Sequence, residues 1–570
     1  MKNFRRYQVF ILTFLMLSMS ATIAFAADTA EVNAGKFGAW TILPPIVAIL
    51  LAFITKNVVI SLFLGTVTGC FLLEIQGNNV FMSIIYSFLD FVERALNSLA
   101  DPWNAGIILQ VMAIGGVISL VSKMGGAKAV AEALAKRAKT PRSTQIITWL
   151  LGVLVFFDDY ANSLIVGPIM KPVADKMRIS RERLSFIIDA TAAPIAGIAI
   201  ISTWIGLEVG LIKDAFDGLG QSVDAFGVFL NTIPYRFYNI LILVFVVTTS
   251  LLLRDFGPMR KAEIAARKGS KEINQEIVID KETLEEVAVK EGVKLSIWNA
   301  VIPIGSLMIS ALASFYYSGY TAIMAGEDTA LQAIMTNSPA SFEAIRQAFS
   351  NSDASVALFQ SALFASVVAI VMAVFKKIFT VSEAIDAWVD GMKGLLITGV
   401  ILILAWSLSS VIKELGTAAF LVQLLSSSIP KFLLPSIIFI LGAVISFATG
   451  TAYGTMGILM PLAIPLAYSI SPEMSYIVIS TSAVLTGAIF GDHCSPISDT
   501  TILSSMGAGC DHIDHVKTQL PYALFVAAIT VLFGYIPAGF GIPLWIVLPL
   551  SMIVIVVLVR IVGKPVDIVE

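Results

Sequence analysis

Four stretches place acids, hydroxyls and helix breakers inside otherwise apolar sequence. The first is Phe156-Phe157-Asp158-Asp159-Tyr160-Ala161-Asn162-Ser163. The second starts at Asp189 and runs through Thr191 and Pro194 to Gly197, with Ser202 and Thr203 beyond. The third is Thr449-Gly450-Thr451-Ala452-Tyr453-Gly454-Thr455. The fourth, Gly491 to Thr501, holds Asp492, His493, Ser495, Ser498, Asp499 and Thr500. Unwound backbone with Ser, Thr and Asn oxygens and one or two carboxylates makes an oxygen cage for a hard cation. Asp158, Asp159, Asp492 and Asp499 are the acids expected to hold Na+ there. An Asp beside such a cage can take a proton instead, because leaving water favours a neutral carboxyl. A site that accepts either Na+ or H+ is what an exchanger needs. Plainer roles compete at three places. They are a helix cap at Asp158-Asp159, pairing of Asp189 with a nearby Arg, and close helix packing at 449–455.

All three histidines, His493, His512 and His515, fall in one window with Cys494 and Cys510. Their spacing matches no zinc pattern. His512 and His515, among Asp511, Asp514 and Lys517, read as part of a solvated cytosolic loop. His493 is a candidate pH sensor, or a partner that holds Asp492. There is no G-x-G-D, G-x-S-x-G or H-E-x-x-H motif, so an intramembrane hydrolase is not expected and the chain is read as no enzyme. No cofactor is implied; Na+ is the expected coupling ion.

These residues need a scaffold, and composition names its solvent. Of 570 residues, 57% are hydrophobic and 14% charged, against roughly 25% charged in soluble domains. Charge is missing from stretches of about 20 residues, enough to cross a bilayer as helix. A soluble enzyme is excluded, and so is a disordered scaffold. The net charge of −3 offers no basic surface for nucleic acid. Three cysteines make no disulfide framework.

Residues 1–26 read as a secretory signal: Lys2, Arg5 and Arg6, an apolar run, then Ala24-Phe25-Ala26. An uncleaved first helix is the alternative. Apolar spans are expected at 39–55, 57–75, 104–122, 184–204, 227–253, 297–317, 355–375, 394–412, 473–493, 520–538 and 541–559. Amphipathic segments 81–99, 125–139 and 380–393 read as interfacial helices. Regions 143–177 and 431–470 are interrupted by the first and third polar clusters. Cytoplasmic loops are rich in Lys and Arg. Lys171, Lys176, Arg178, Arg181 and Arg183 fall on that side only if 143–177 turns back, so both interrupted regions are read as re-entrant hairpins. The mature N-terminus then lies outside, the acidic 319–354 loop outside and the C-terminus in the cytoplasm.

A weak internal repeat pairs Trp40 and Pro45 with Trp298 and Pro303, Gly125 with Gly416, Tyr160 with Tyr453, and Pro168 and Pro172 with Pro461 and Pro465. Opposite orientation of the two halves makes an inverted repeat. The expected fold is an all-α polytopic membrane protein with two inverted repeats, each with a re-entrant hairpin and a broken transmembrane helix. Its units are the first repeat (37–253), a charged cytosolic linker (254–296), the second repeat (297–519), and C-terminal helices with a tail (520–570).

FFDDYANSLIVGPIM (156–170), ATAAPIAGIAI (190–200) and GDHCSPISDTTILSS (491–505) resemble the NhaC-type sodium/proton antiporter family, within the larger ion-transporter superfamily. The resemblance covers about residues 100–530. It implies a sodium-coupled carrier of the inner membrane, a homodimer embedded in lipid, and elevator-like movement of the hairpin domain. Asp158, Asp159, Asn162, Asp492, Ser498, Asp499 and Thr500 fall on its polar motifs. Family members differ in cargo, so two readings stand. One is a Na+/H+ antiporter working through a shared Asp/Ser/Thr site. The other is a Na+-coupled carrier of a small organic acid or amino acid, with Asn162, Ser163, Thr449, Thr451 and helix-end N–H groups taking the carboxylate.

Overall fold

The computed structural model describes residues 32–566, except 56, 201, 270–288, 291 and 426–428. The signal-like segment 1–26 and much of the charged linker lie outside the described residues. Among those described, ten helices are long and apolar enough to cross a membrane, or eleven if one bent pair counts as a span.

The first half runs α1 (Leu43–Thr55), α2 (Val58–Glu74), α3 (Val80–Ala100), α4 (Pro102–Lys123), α5 (Gly126–Ala135), α6 (Pro141–Leu154), α7 (Asp159–Lys176), α8 (Arg181–Asp189), α9 (Ala193–Ala196), α10 (Ile205–Asp217), α11 (Ala225–Thr232), α12 (Phe237–Leu252) and α13 (Gly257–Arg267). The second half runs α14 (Trp298–Ala325), α15 (Thr329–Asn337), α16 (Phe342–Ser350), α17 (Ala354–Phe375), α18 (Val381–Gly394), α19 (Leu396–Leu415), α20 (Thr417–Leu425), α21 (Leu434–Thr449), α22 (Ala452–Ile470), α23 (Met474–Cys494), α24 (Asp499–Ala508), α25 (His512–Ile529), α26 (Ile536–Gly539) and α27 (Leu544–Val562). Two-residue strands at Arg254–Asp255 and Lys564–Pro565 pair antiparallel and pin the end of the chain beside α12.

Local chemistry explains the boundaries. Thr140 and Ser143 form a reciprocal capping box, with Pro141 in the first turn, and start α6. Ser180 caps α8 through the Arg183 N–H. Gly125 and Gly416 end α4 and α19 with φ of +71° and +72°, a left-handed turn that only glycine adopts without strain. Both are followed by a short helix, a broken helix pair and a second break. Pro168 and Pro172 sit inside α7, and Pro461 and Pro465 inside α22. The order of elements therefore repeats between the halves. A bend of 40° falls at Arg236, between Ala225–Tyr235 and Phe237–Leu252, just after Pro234 in a short 3-10 turn.

The 184–204 run is broken at its polar cluster, as expected: the helix stops at Asp189, makes a single turn at Ala193–Ala196, and the next helix starts at Ile205. Several sequence expectations need revision. Helix α10 lies outside the expected spans; Glu208, Lys213, Asp214 and Asp217 interrupt its apolar sequence. The 319–354 loop is mostly helix, since α14 extends to Ala325 and α15 and α16 follow. Segment 380–393 does more than lie at an interface. It runs on into α19 as one candidate span, Val381–Leu415, and buries Ala384 and Ala387. Gly391 crosses Gly115 of α4 so closely that a Cβ on either would overlap the other's backbone. The arms of the two interrupted regions are unequal: α6 has 14 residues and α7 has 18, while α21 has 16 and α22 has 19. Arms α6 and α7 pack on each other, as do α21 and α22.

Candidate functional site

The ends of broken helices meet at one cavity of about 280 Å³. Asp158, Asp159 and Tyr160 come from the start of α7. Thr203 and Trp204 come from the irregular lead into α10. Thr449, Thr451, Ala452 and Tyr453 come from the turn between α21 and α22. Asp492 lies near the end of α23, and Asp499 is the first residue of α24. Asn57, Val58 and Val59 at the start of α2, with Leu395, Ile397, Thr398 and Ile401 from the start of α19, form the opposite wall. The four acids expected to hold a cation thus line one space. Among the described residues, His, Cys, Asp and Glu side chains form no metal-holding group of three or more. A cation here would take most of its ligands from hydroxyl and carbonyl oxygens.

Hydrogen bonds tie these breaks together. The Tyr160 hydroxyl donates to Asp499. The Thr203 N–H donates to the Phe157 carbonyl at 3.1 Å, joining the first tip to the second break. The Ser498 hydroxyl donates to Asp492 Oδ1 at 2.8 Å and lies 2.9 Å from Thr500 Oγ1. Thr501 Oγ1 donates to the Asp492 carbonyl at 3.2 Å. The Ser495 hydroxyl donates to the Phe447 carbonyl at 2.7 Å, fastening the fourth stretch to α21. Gly450, at φ +68°, lets the third tip lie flat on Ile497; a Cβ there would come within 2.6 Å of the Ile497 carbonyl oxygen. The Trp204 and Tyr453 rings meet edge to face at 4.8 Å.

Other expected site residues stand behind the cavity rather than on it. Asn162 Nδ2 donates to the carbonyls of Gly152 at 2.8 Å and Thr191 at 2.7 Å. It ties both arms of the first pair to the second break. The Ser163 hydroxyl meets Ser504 at 3.0 Å, and Thr191 Oγ1 returns to the carbonyls of its own helix. Ser495, Ser498 and Thr500 are also absent from the lining; they brace Asp492 and the break. Asp189 is fully buried, with Oδ2 accepting from Gln519 Nε2 at 2.7 Å; among the described residues its ion-pair contact is His515 and not an Arg. His493 Nδ1 faces the Tyr238 hydroxyl at 2.7 Å, and its Nε2 has no partner. It does not hold the Asp492 side chain. His512 and His515 are not in a solvated loop. They form the first turn of α25, and His515 is buried. Helix α25 starts at His512, earlier than the apolar pattern suggested, because Asp511 caps it through the Asp514 N–H.

Sequence reasoning missed Asn57, Trp204 and Thr398 in the lining. Asn57 had one visible signal, a polar residue between two apolar runs, and it caps α2 through the Ile60 N–H at 3.1 Å.

The Na+/H+ antiporter family model matches residues 195–540, more than half of the chain. An uncharacterized protein of Haemophilus influenzae is 32% identical over 528 residues, covering 91% of this chain and 95% of that one. Na(+)/H(+) antiporter NhaC of Alkalihalophilus pseudofirmus is 34% identical over 144 residues, 24% of this chain and 29% of its own. The malate-2H(+)/Na(+)-lactate antiporter of Bacillus subtilis is 26% identical over 162 residues, 24% of this chain and 34% of its own. This multi-pass membrane protein belongs to the Na+/H+ antiporter family and is a secondary transporter.

Proposed function

We propose that the chain exchanges Na+ for H+ across the inner membrane. Na+ and protons compete for the acids of the central cavity. The observation that supports this most directly is the meeting of Asp158, Asp159, Asp492 and Asp499 around one space of about 280 Å³ at the ends of broken helices. Acids at membrane depth mark ion pathways by default, and irregular backbone persists there only around a cavity or inside protein. Hydroxyls of Thr203, Thr398, Thr449 and Thr451 supply further oxygens on the same surface. Open to the outside, a carboxylate releases Na+ and takes a proton; open to the inside, it gives up that proton and takes Na+. With the two halves in opposite orientation, the cavity opens alternately to each side.

A second reading has its own support. Helix α10 starts at the cavity, after Trp204, with no side-chain cap. Its first N–H groups suit a carboxylate, and the cavity exceeds what a bare ion fills. In that reading Na+ moves together with, or against, a small organic acid or amino acid. The malate/lactate antiporter among the relatives lends it weight.

The test uses purified protein in acid-loaded vesicles with a pH dye. Adding Na+ alone should raise the internal pH, and both Asp159→Asn and Asp499→Asn should abolish this while membrane levels stay normal. Proton movement that requires added lactate, malate or an amino acid would replace the first reading with the second. Wild-type transport in both variants would remove the cation site.

A further inference from the structure

A row of polar groups behind the cavity, half-buried at Pro496 and His512 and buried from Ser505 on, is not used by either reading. It runs from Pro496 through His512, Ser505, His515 and Gln519 to Asp189. His512 Nε2 lies 2.7 Å from the Pro496 carbonyl. Ser505 Oγ lies 3.1 Å from His512 Nδ1 and 2.8 Å from His515 Nδ1. His515 Nε2 lies 2.7 Å from Gln519 Oε1. Gln519 Nε2 donates to Asp189 Oδ2 and to the His493 carbonyl.

Donor and acceptor roles in this row are fixed from its ends. The Pro496 carbonyl only accepts, so Nε2 of His512 carries a hydrogen. The Gln519 NH2 faces a carboxylate and a carbonyl, so its oxygen faces His515, and Nε2 of His515 also carries a hydrogen. In a neutral imidazole the other nitrogen is then an acceptor. Both Nδ1 atoms therefore look to the Ser505 hydroxyl. That hydroxyl has one hydrogen, and the Thr501 carbonyl competes for it at 2.7 Å. Three acceptors share one proton. One more proton, on either Nδ1, lets that ring donate to the Ser505 oxygen and leaves the hydroxyl hydrogen for another acceptor.

The added charge has a counter-ion. Asp189 Oδ2 lies 3.7 Å from His515 Nε2, both fully buried, and the Thr501 and Ser504 side chains also face the Asp189 carboxyl. Among the described residues it is the acid within ion-pair reach of His515. The other titratable groups here are His493, Cys494 and Asp492 on α23, Asp499 on α24, and Tyr238 on α12. On α25 itself, Tyr522 bonds to Asp255, which pairs with Arg183.

We infer that His512, Ser505 and His515, with Asp189 as counter-charge, form a proton-binding site separate from the cavity. It grips both flanks of the fourth break, through the carbonyls of His493 and Pro496, so proton uptake acts on the segment that carries Asp492 and Asp499. The proton site itself stands whichever solute crosses; only its effect on transport rests on the proposed function.

The chain has three histidines, so imidazole-15N NMR of the full-length protein in lipid resolves each one, with single His→Gln variants for assignment. One shared protonation of His512 and His515 is expected across the pH range where transport changes. Ser505→Ala should split the shared step and move its midpoint by about one unit, tenfold in proton affinity. His515→Gln should move the pH profile of transport by a similar amount. Two imidazoles that stay neutral over that range, or that titrate in Ser505→Ala as in the wild type, would overturn the site. A wild-type pH profile in His515→Gln would overturn its action on the break. The NMR arm needs no transported solute, so a failed Na+/H+ reading leaves it intact.

Discussion

Arg236 carries the prediction that structure makes most quantitative. Its guanidinium meets Glu208 in a two-pronged pair, Nη1 to Oε1 at 3.1 Å and Nη2 to Oε2 at 2.7 Å. Neither side chain has any solvent exposure. The same guanidinium donates to the Gly197 carbonyl and to Thr232 Oγ1, at 3.2 Å from Nε and 3.0 Å from Nη2. Gly197 opens the irregular stretch whose far end, Thr203 and Trp204, lines the cavity. Arg236→Met strands a buried carboxylate, which costs about 3–5 kcal/mol. The orphaned Gly197 carbonyl adds roughly 1–3 kcal/mol.

The cost belongs to breaking the pair, not to lacking it. A buried pair replaced by apolar residues of like volume is often close to neutral. Glu208→Leu with Arg236→Met should therefore recover at least about 2 kcal/mol relative to Arg236→Met alone, a coupling large enough for a double-mutant cycle. Unfolding in mild detergent, titrated with SDS, reads it out. The double variant should still transport poorly, because the Gly197 carbonyl has lost its anchor. A single variant within about 0.5 kcal/mol of wild type, or equal loss in single and double variants, would refute the buried-pair reasoning.

Other consequences are simpler. Gly450→Ala forces a side chain into a left-handed φ, about 1–2 kcal/mol, and pushes against the Ile497 backbone; transport should fall more than stability, read as initial rate against thermal midpoint on the same preparation. Asn162→Ala frees the carbonyls of Gly152 and Thr191 at about 1–3 kcal/mol each, so a lowered melting temperature is expected, together with weaker Na+ dependence. Loss of Na+ affinity with no loss of stability would instead make Asn162 a direct ligand.

The polar breaks were legible because acids, glycines and threonines are scarce in lipid-facing sequence, and Asp158-Asp159, 449–455 and 491–501 stand out against it. What could not be read was long-range pairing. Glu208 and Lys213 keep α10 from standing out as an apolar span; its buried Glu208 is answered by Arg236 at the start of the next long helix, and no local pattern signals that. Asp189 reads as a site acid, with pairing to a preceding Arg as its plainer role, yet it stands behind the cavity and takes a hydrogen bond from Gln519, far along the chain. His512 and His515 looked solvated for the same reason: their charged neighbours face outward while the rings turn in to Ser505. Asp158, Asp159, Asp492 and Asp499 could be placed on one cavity because each sits at a break. Asn162, Ser163 and Thr191 share those breaks but point away from the space, a distinction of side-chain direction that spacing does not encode.

The bonding pattern also bears on how the cavity opens. Within each half, tip and break are joined: Asn162 to Thr191, Thr203 to Phe157, Ser495 to Phe447, and Gly450 on Ile497. Across the halves, Tyr160 holds Asp499, Ser163 meets Ser504, and Trp204 packs on Tyr453. Tips and breaks thus form one cross-braced body. The opposite wall meets it through side chains such as Val58, which lies against Gly454, and contacts of that apolar kind resist sliding less than directional hydrogen bonds do. Movement should therefore occur between the braced body and the wall of α2 and α19. A disulfide between Ser163→Cys and Ser504→Cys, in a background free of the three native cysteines, should leave transport running. One between Val58→Cys and Gly454→Cys should stop it, and reduction should restore it. Arrest by the first bridge and continued transport with the second would mean that the halves part at the cavity, and the braced-body argument would fail.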